Sequence, residues 1–412
     1  MSKYFLKCGK LFDGVELELK ENVNILVEDD KIIDVGRDFA APDGAEVIDL
    51  SHLTVTPGLI DAHSHIEHRE ICAFPSVPMM SDEEILLNML YNAEESLKRG
   101  FTTLRLVGVT LNGYGSLALK NSINTGQFDA SRLIVAPHGL GTTGSHADFS
   151  SIYRNTPYLS EAMENADVYI GNGADFFKMR VRKEVKYGAD FIKIMATGGF
   201  ATPHDGPHDI QLDDEELQAI FQTAKALHCP VTAHAYGPRL VQKLVKFGIE
   251  CIEHGSLIDR ETIKMMEDAG TKLVTTYWPM EDVVHPNEEG LEYMSPQRRR
   301  KSLLYGAQLK ETRALILESN LKKGYGTDLI DKFHNYEHWV EFTAWRKSGV
   351  SALETLRAAT SVNAEICNRN DIGVIAAGKT ADIAAWHRDM ITDMEAIRDC
   401  DFVMKEGRVI PL

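Results

Sequence analysis

His63 and His65 stand two residues apart at the end of the apolar run VTPGLIDAHSH. On a β-strand, residues i and i+2 project to the same side, so both imidazoles can face a single cation. With fifteen histidines in the chain, one such pair is weak evidence alone, and two hydrogen-bonded histidines at a barrel mouth would look the same. Four later apolar runs each end on a further candidate ligand: Lys193 in FIKIMATGG, His234 in VTAHAYG, His254 in IEHGS and Asp328 in GYGTDL. Imidazole and carboxylate are ligands for divalent ions. An ammonium group is not, but between Ile192 and Ile194 desolvation lowers the pKa of a lysine. The neutral amine can add carbon dioxide, and the resulting carbamate is an anionic oxygen ligand able to bridge two ions. The alternative for Lys193 is a structural ion pair with a barrel acid.

These residues need strands that end on a common rim. Eight strand-like runs, Thr54–His65, Thr102–Val107, Leu133–Pro137, Phe191–Met195, Val231–Ala235, Cys251–His254, Lys272–Thr276 and Gly324–Asp328, alternate with amphipathic helical stretches. Ser81 before Asp82, Glu83 and Glu84 signals one helix start, with Leu86, Leu90, Ala93 and Leu97 down one face. Asp213 with Glu216 signals another. The expectation is an α/β fold, a (β/α)8 TIM barrel with its chemistry at the carboxyl ends of the strands. An open doubly wound sheet is the alternative, but no GxGxxG follows the early strands and no GxxxxGK[ST] is present. Before the barrel, Tyr4–Leu6, Val23–Val27, Lys31–Val35 and Val47–Asp49 predict a small antiparallel sheet. Ala381–Trp386, Phe402–Lys405 and Arg408–Ile410 continue the same grain, so the two ends are expected to fold together.

Composition narrows the partners. A formal charge of -17 disfavours nucleic acid and anionic lipid, and 44% hydrophobic with 25% charged residues is ordinary for a globular chain. The basic run Arg298-Arg299-Arg300-Lys301 reads as a solvated helix face. His68, His204 and His208 read as rim residues, more often exposed than bound to substrate. Six scattered cysteines without a CxxC pair suggest neither a disulfide framework nor a thiolate zinc site. The polar opening MSKYFLKCGKLFDG is no signal peptide and no run is long enough to span a membrane, so a cytoplasmic location is expected. Trp278–Pro296, with three prolines, is long for a strand-helix connection and is a candidate lid.

TPGLIDAHSH, the strand lysine, HAYG, IEHG and the GTD aspartate together resemble the binuclear metal-dependent amidohydrolase superfamily, and GKTADIAAW and VMKEGRVI extend the resemblance to the C-terminus. HAYG and the loop Gly141–Asp148 are similar to the imidazolonepropionase-like branch, which includes prolidase-type dipeptidases and ochratoxin-type amidases. The chain departs from that branch where GSHAD replaces GGHGD, and where Arg105-Leu106-Val107-Gly108 lacks an aspartate after the arginine. The resemblance implies a small β-sandwich from residues 1–56 and 370–412 around a barrel of residues 57–369. It implies two divalent ions, zinc first, with His63, His65 and Asp328 on one, His234 and His254 on the other, and carboxylated Lys193 bridging both. It implies attack of a metal-bridging hydroxide on an amide, with Asp328 as proton shuttle and His146 and Tyr236 contacting the carbonyl or carboxylate of the substrate. For Tyr236 a packed rim aromatic is the alternative. The expected substrate is a small molecule, a dipeptide or N-acyl amino acid, and the expected assembly a homo-oligomer. A cyclic-amide ring-opening enzyme like imidazolonepropionase, or a lactonase, is the rival activity. A scaffold that had lost catalysis would lack ligands, and none is missing.

Overall fold

The computed structural model describes residues 2–68, 80–109, 113–148, 150, 155–158, 160–161, 169–330 and 332–412. Both chain ends build one seven-stranded sheet from β1 (Lys3–Leu11), β2 (Lys20–Glu28), β3 (Lys31–Gly36), β4 (Glu46–Pro57), β14 (Ile383–Trp386), β15 (Phe402–Lys405) and β16 (Arg408–Ile410), in the order β16-β15-β14-β4-β1-β2-β3. The expected antiparallel grain is broken once, because β1 and β4 run parallel. Antiparallel partners can be joined by a short turn, whereas β4 returns beside β1 only after the β2–β3 hairpin.

The remaining strands form the barrel: β5 (Leu59–Ser64), β6 (Phe101–Val107), β7 (Arg132–Ala136), β8 (Gly139–Leu140), β9 (Ile192–Met195), β10 (Val231–Ala235), β11 (Cys251–His254), β12 (Lys272–Val274) and β13 (Lys323–Gly324). β7 and β8 are two pieces of the third stave, interrupted at Pro137-His138. β7 pairs with β6 and β8 with β9, all parallel. The ring closes where Ala62 N–H donates to Tyr325 O and Asp328 N–H to His63 O, both at 2.9 Å. The run Thr54–His65 is therefore not one strand. It changes sheets at Gly58, where a Cβ would lie 2.3 Å from the Thr102 hydroxyl, so only glycine allows the barrel strand this close to its neighbour. Arg132, buried in β7, locks the two sheets together through Asp382 and Glu406, each at 2.6 Å.

Helices Asp82–Lys98 and Asp214–Ala226 begin as expected, each with a reciprocal capping box, Ser81 with Glu84 and Asp213 with Glu216. In the first helix the buried stripe is centred one residue earlier than predicted, on Ile85, Met89, Ala93 and Leu97, with Leu86 and Leu90 only partly covered. Among the described residues no helix is long and apolar enough to cross a membrane, and Cys8, Cys229, Cys251, Cys367 and Cys400 are free thiols. Cys72 lies outside the described residues.

Candidate active site

The carboxyl ends of the strands deliver their side chains to one cavity of about 80 Å³. His63 comes from β5, Lys193 from β9, His234 from β10 and His254 from β11. His65 follows β5, and Asp328 lies four residues past β13. His146 and Tyr236 line the same cavity. A larger cavity, about 550 Å³, opens at the opposite end of the barrel beside Cys251 and Lys272 and contains none of these ligands.

Ligand atoms of His63, His254 and Asp328 lie within 4.8 Å of one another. Asp328 Oδ1 is 3.5 Å from His63 Nε2 and 3.4 Å from His65 Nε2, and Asp328 Oδ2 is 4.0 Å from His254 Nδ1. The His234 ring centroid is 4.7 Å from that of His254, and buried His234 Nε2 has no hydrogen-bond partner. A buried imidazole nitrogen with no hydrogen bond is costly unless a cation takes it, so the donor set fits a divalent ion. Burial, helped by neighbouring positive groups, holds His234 and His254 well below the ordinary imidazole range and keeps their nitrogens deprotonated for binding. Burial is also the main influence on Lys193, whose ammonium is pulled down to about 8 against the opposing charges of Glu253 and Asp328. For Asp328, burial pushes the carboxyl up, but the charge and hydrogen bond of His63, with His254 and His65, hold it well below the usual carboxylate range.

Two of the predicted ligands sit on strained backbone. His254 has φ 72° and Asp328 φ 48°, the left-handed region that non-glycine residues enter infrequently. Such conformations persist where the surroundings dictate them, and they cluster at functional sites. At His254 the consequence is direct: side chains no longer alternate, and Glu253 points into the barrel as well. It accepts from Arg105 Nη1 and from His63 Nδ1, both at 2.8 Å, and from the Thr232 hydroxyl. His63 therefore directs Nε2 toward Asp328. Strict alternation would have turned Glu253 away from the site, which is why sequence reasoning missed it. Arg105, left without an aspartate neighbour in sequence, has its carboxylate here.

The basic run departs from expectation. Arg299 and Arg300 are exposed, whereas Arg298 and Lys301 are buried, 5% and 8% accessible, on the inner face of helix Pro296–Leu304. Arg298 lines the cavity beside Tyr236 and donates to Pro279 O at 2.9 Å, and Lys301 donates to Gly199 O at 3.0 Å. Their i, i+3 spacing puts both on one face of the helix, a signal that four consecutive basic residues concealed. Residues 278–305 pack over the mouth through Met280, Val283, Val284, Leu291 and Met294 against Phe200 and Tyr236. His204 and His208 are exposed as expected, but His68 is buried, its backbone N–H on Asn335 Oδ1 at 3.2 Å.

Because Arg105 and Glu253 are both buried, removing one partner leaves an uncompensated charge. Glu253→Ala is expected to cost about 3–5 kcal/mol of stability, read as a lower urea midpoint. An unchanged midpoint would show that water or another group replaces the carboxylate.

The sequence pattern of the Amidohydrolase family matches residues 54–410. Ochratoxinase from Aspergillus niger is 26% identical over 321 residues, 74% of this chain and 64% of that protein, so the chain spans less than two thirds of that relative's length. Imidazolonepropionase from Idiomarina loihiensis is 26% identical over 422 residues, covering 92% of this chain and 90% of the relative. A solved Xaa-Pro dipeptidase with methionine bound in its active site is 28% identical, with a TM-score of 0.86 over 99% of this chain and 100% of that one. With the pattern running from the end of β4, through the whole barrel, to the last strand of the terminal sheet, the chain belongs to the amidohydrolase family.

Proposed function

We propose that this protein hydrolyses the amide bond of a dipeptide or an N-acyl amino acid. The observation that carries the reading is the convergence, in one small cavity, of the six candidate ligands with a buried arginine. His63, His65, Lys193, His234, His254 and Asp328 would hold two divalent ions, zinc first, with Lys193 as its carbamate. Ions bound there would acidify a water and polarise a carbonyl oxygen. Asp328 then accepts the proton of the attacking water and returns it to the leaving nitrogen, base first and acid second. Tyr236 stays a phenol, because burial raises it far above the ordinary range, and it presents its O–H to the substrate. Arg298 supplies a fixed positive charge for a substrate carboxylate, whose guanidinium pairing is planar and directional. The solved dipeptidase holds methionine in its own active site, a free amino acid of the product class this reading expects.

A panel of dipeptides, N-acyl amino acids, their C-terminal amides, cyclic amides and lactones, assayed on metal-replete protein, tests the proposal. Free-acid substrates should turn over fastest. Arg298→Gln should raise their KM by about 10- to 100-fold, the worth of a hydrogen bond to a charged group, and change the amides little. Preference for cyclic amides, or for lactones, would replace the dipeptide reading with a ring-opening one.

A further inference from the structure

His146 reaches the cavity from the loop after β8, and residues from two other segments grip it. Its backbone N–H donates to Gln211 Oε1 at 2.9 Å. Its ring Nδ1 lies 2.9 Å from Asp205 Oδ2 and 2.8 Å from Thr202 Oγ1. Asp205 is itself enclosed: Oδ2 also accepts from Gly199 N–H at 3.1 Å, and Oδ1 accepts from the Thr202 hydroxyl and from Lys301 Nζ at 3.1 Å. Lys301 spends its other donors on Gly199 O and Thr202 O, so one buried ammonium ties helix Pro296–Leu304 to the 199–205 loop. The imidazole rests on bare backbone, since a Cβ on Gly199 would fall 2.4 Å from it. Its other face stacks on His234 with centroids 4.5 Å apart.

We propose that Asp205 is the positioning residue for His146, anchored by Lys301, so that the imidazole is aimed only when the 199–205 loop and helix Pro296–Leu304 are both seated on the cavity. With Nδ1–H donating to Asp205, Nε2 is the nitrogen left for the substrate. The sequence carries no periodic signal for this arrangement, because Asp205 lies in an irregular loop and Lys301 in the apparently solvated basic run. The inference rests on the hydrolase reading for its kinetic consequence and on geometry alone for its structural one.

Two measurements separate these. In ¹⁵N-histidine-labelled protein, the hydrogen-bonded Nδ1–H of His146, assigned by its loss in His146→Gln, should vanish in Asp205→Ala and survive in Asp205→Glu. A resonance that persists in Asp205→Ala overturns the proposal, whatever the enzyme's substrate. In kinetics, Asp205→Ala and His146→Gln should each lower kcat by about a hundredfold, the scale of a misplaced group near the chemistry. The double variant should be no worse than His146→Gln alone. Asp205→Asn, the milder change, guards against misfolding and should fall between. Multiplicative losses, or losses that track melting temperature and metal content, would reduce Asp205 to a structural residue. No turnover in wild type with an Nδ1–H signal that depends on Asp205 would sink the hydrolase reading and leave the positioning intact.

Discussion

Asp328→Asn is expected to keep most of its metal while kcat falls at least about a hundredfold, the lower end of what general acid-base catalysis supplies. Asparagine offers a carbonyl oxygen in the same place but cannot take the proton of an attacking water. It also tolerates the left-handed backbone at φ 48° about as well as aspartate, so the substitution tests chemistry rather than strain. Tyr236→Phe gives the contrast. If its hydroxyl holds the substrate equally in ground and transition states, its loss should raise KM more than it lowers kcat. Kinetics and metal analysis on the same samples decide the matter. Near-normal turnover in metal-loaded Asp328→Asn enzyme would leave Asp328 a ligand and nothing more.

Lys193→Ala should strip the site. Wild type is expected to carry about two divalent ions per chain, and the variant to lose most of that metal and its activity, by more than the ~10–100-fold that changes behind a ligand cost. Lys193 is 1% accessible, and burial pulls its ammonium down to about 8 even against the charges of Glu253 and Asp328, which brings the neutral amine within reach. In the carbamate proposed above, its neutral amine would form an N–C bond to carbon dioxide with release of a proton, and the two new oxygens are what alanine would lack. Formate or acetate should restore part of both metal and turnover. A variant with wild-type metal content would make Lys193 a structural residue.

The barrel and the positions of the candidate ligands were legible because parallel strands covered on both sides read as continuous apolar runs, and a polar residue at the end of such a run stands out. The supports were not. Glu253 was hidden by the twist at His254, which defeats the two-residue alternation that places side chains on strands. Arg298 and Lys301 were hidden by Arg299 and Arg300, since only the packing of helix Pro296–Leu304 on the cavity distinguishes inner from outer members of the run. Asp205 is held by five donors, but these come from His146, Gly199, Thr202, Gln211 and Lys301, and no local pattern links them. The split at Gly58 was missed because Thr54–Pro57 and Leu59–Ser64 are equally apolar and differ only in the neighbours they meet.

The shared terminal sheet sets a timetable for synthesis. β4, which leads directly into the strand carrying His63, pairs on one side with β14, and Gly58 N–H donates to Asp382 O at 2.9 Å. Those partners lie more than three hundred residues later in the chain. At about 5–20 residues per second, the ribosome needs tens of seconds to deliver them. Throughout that interval the first barrel strand is tethered to a sheet with an open edge, and an unpaired edge is a template for another chain. The nascent protein is therefore most exposed to chaperones, and to aggregation, until β14 emerges and docks.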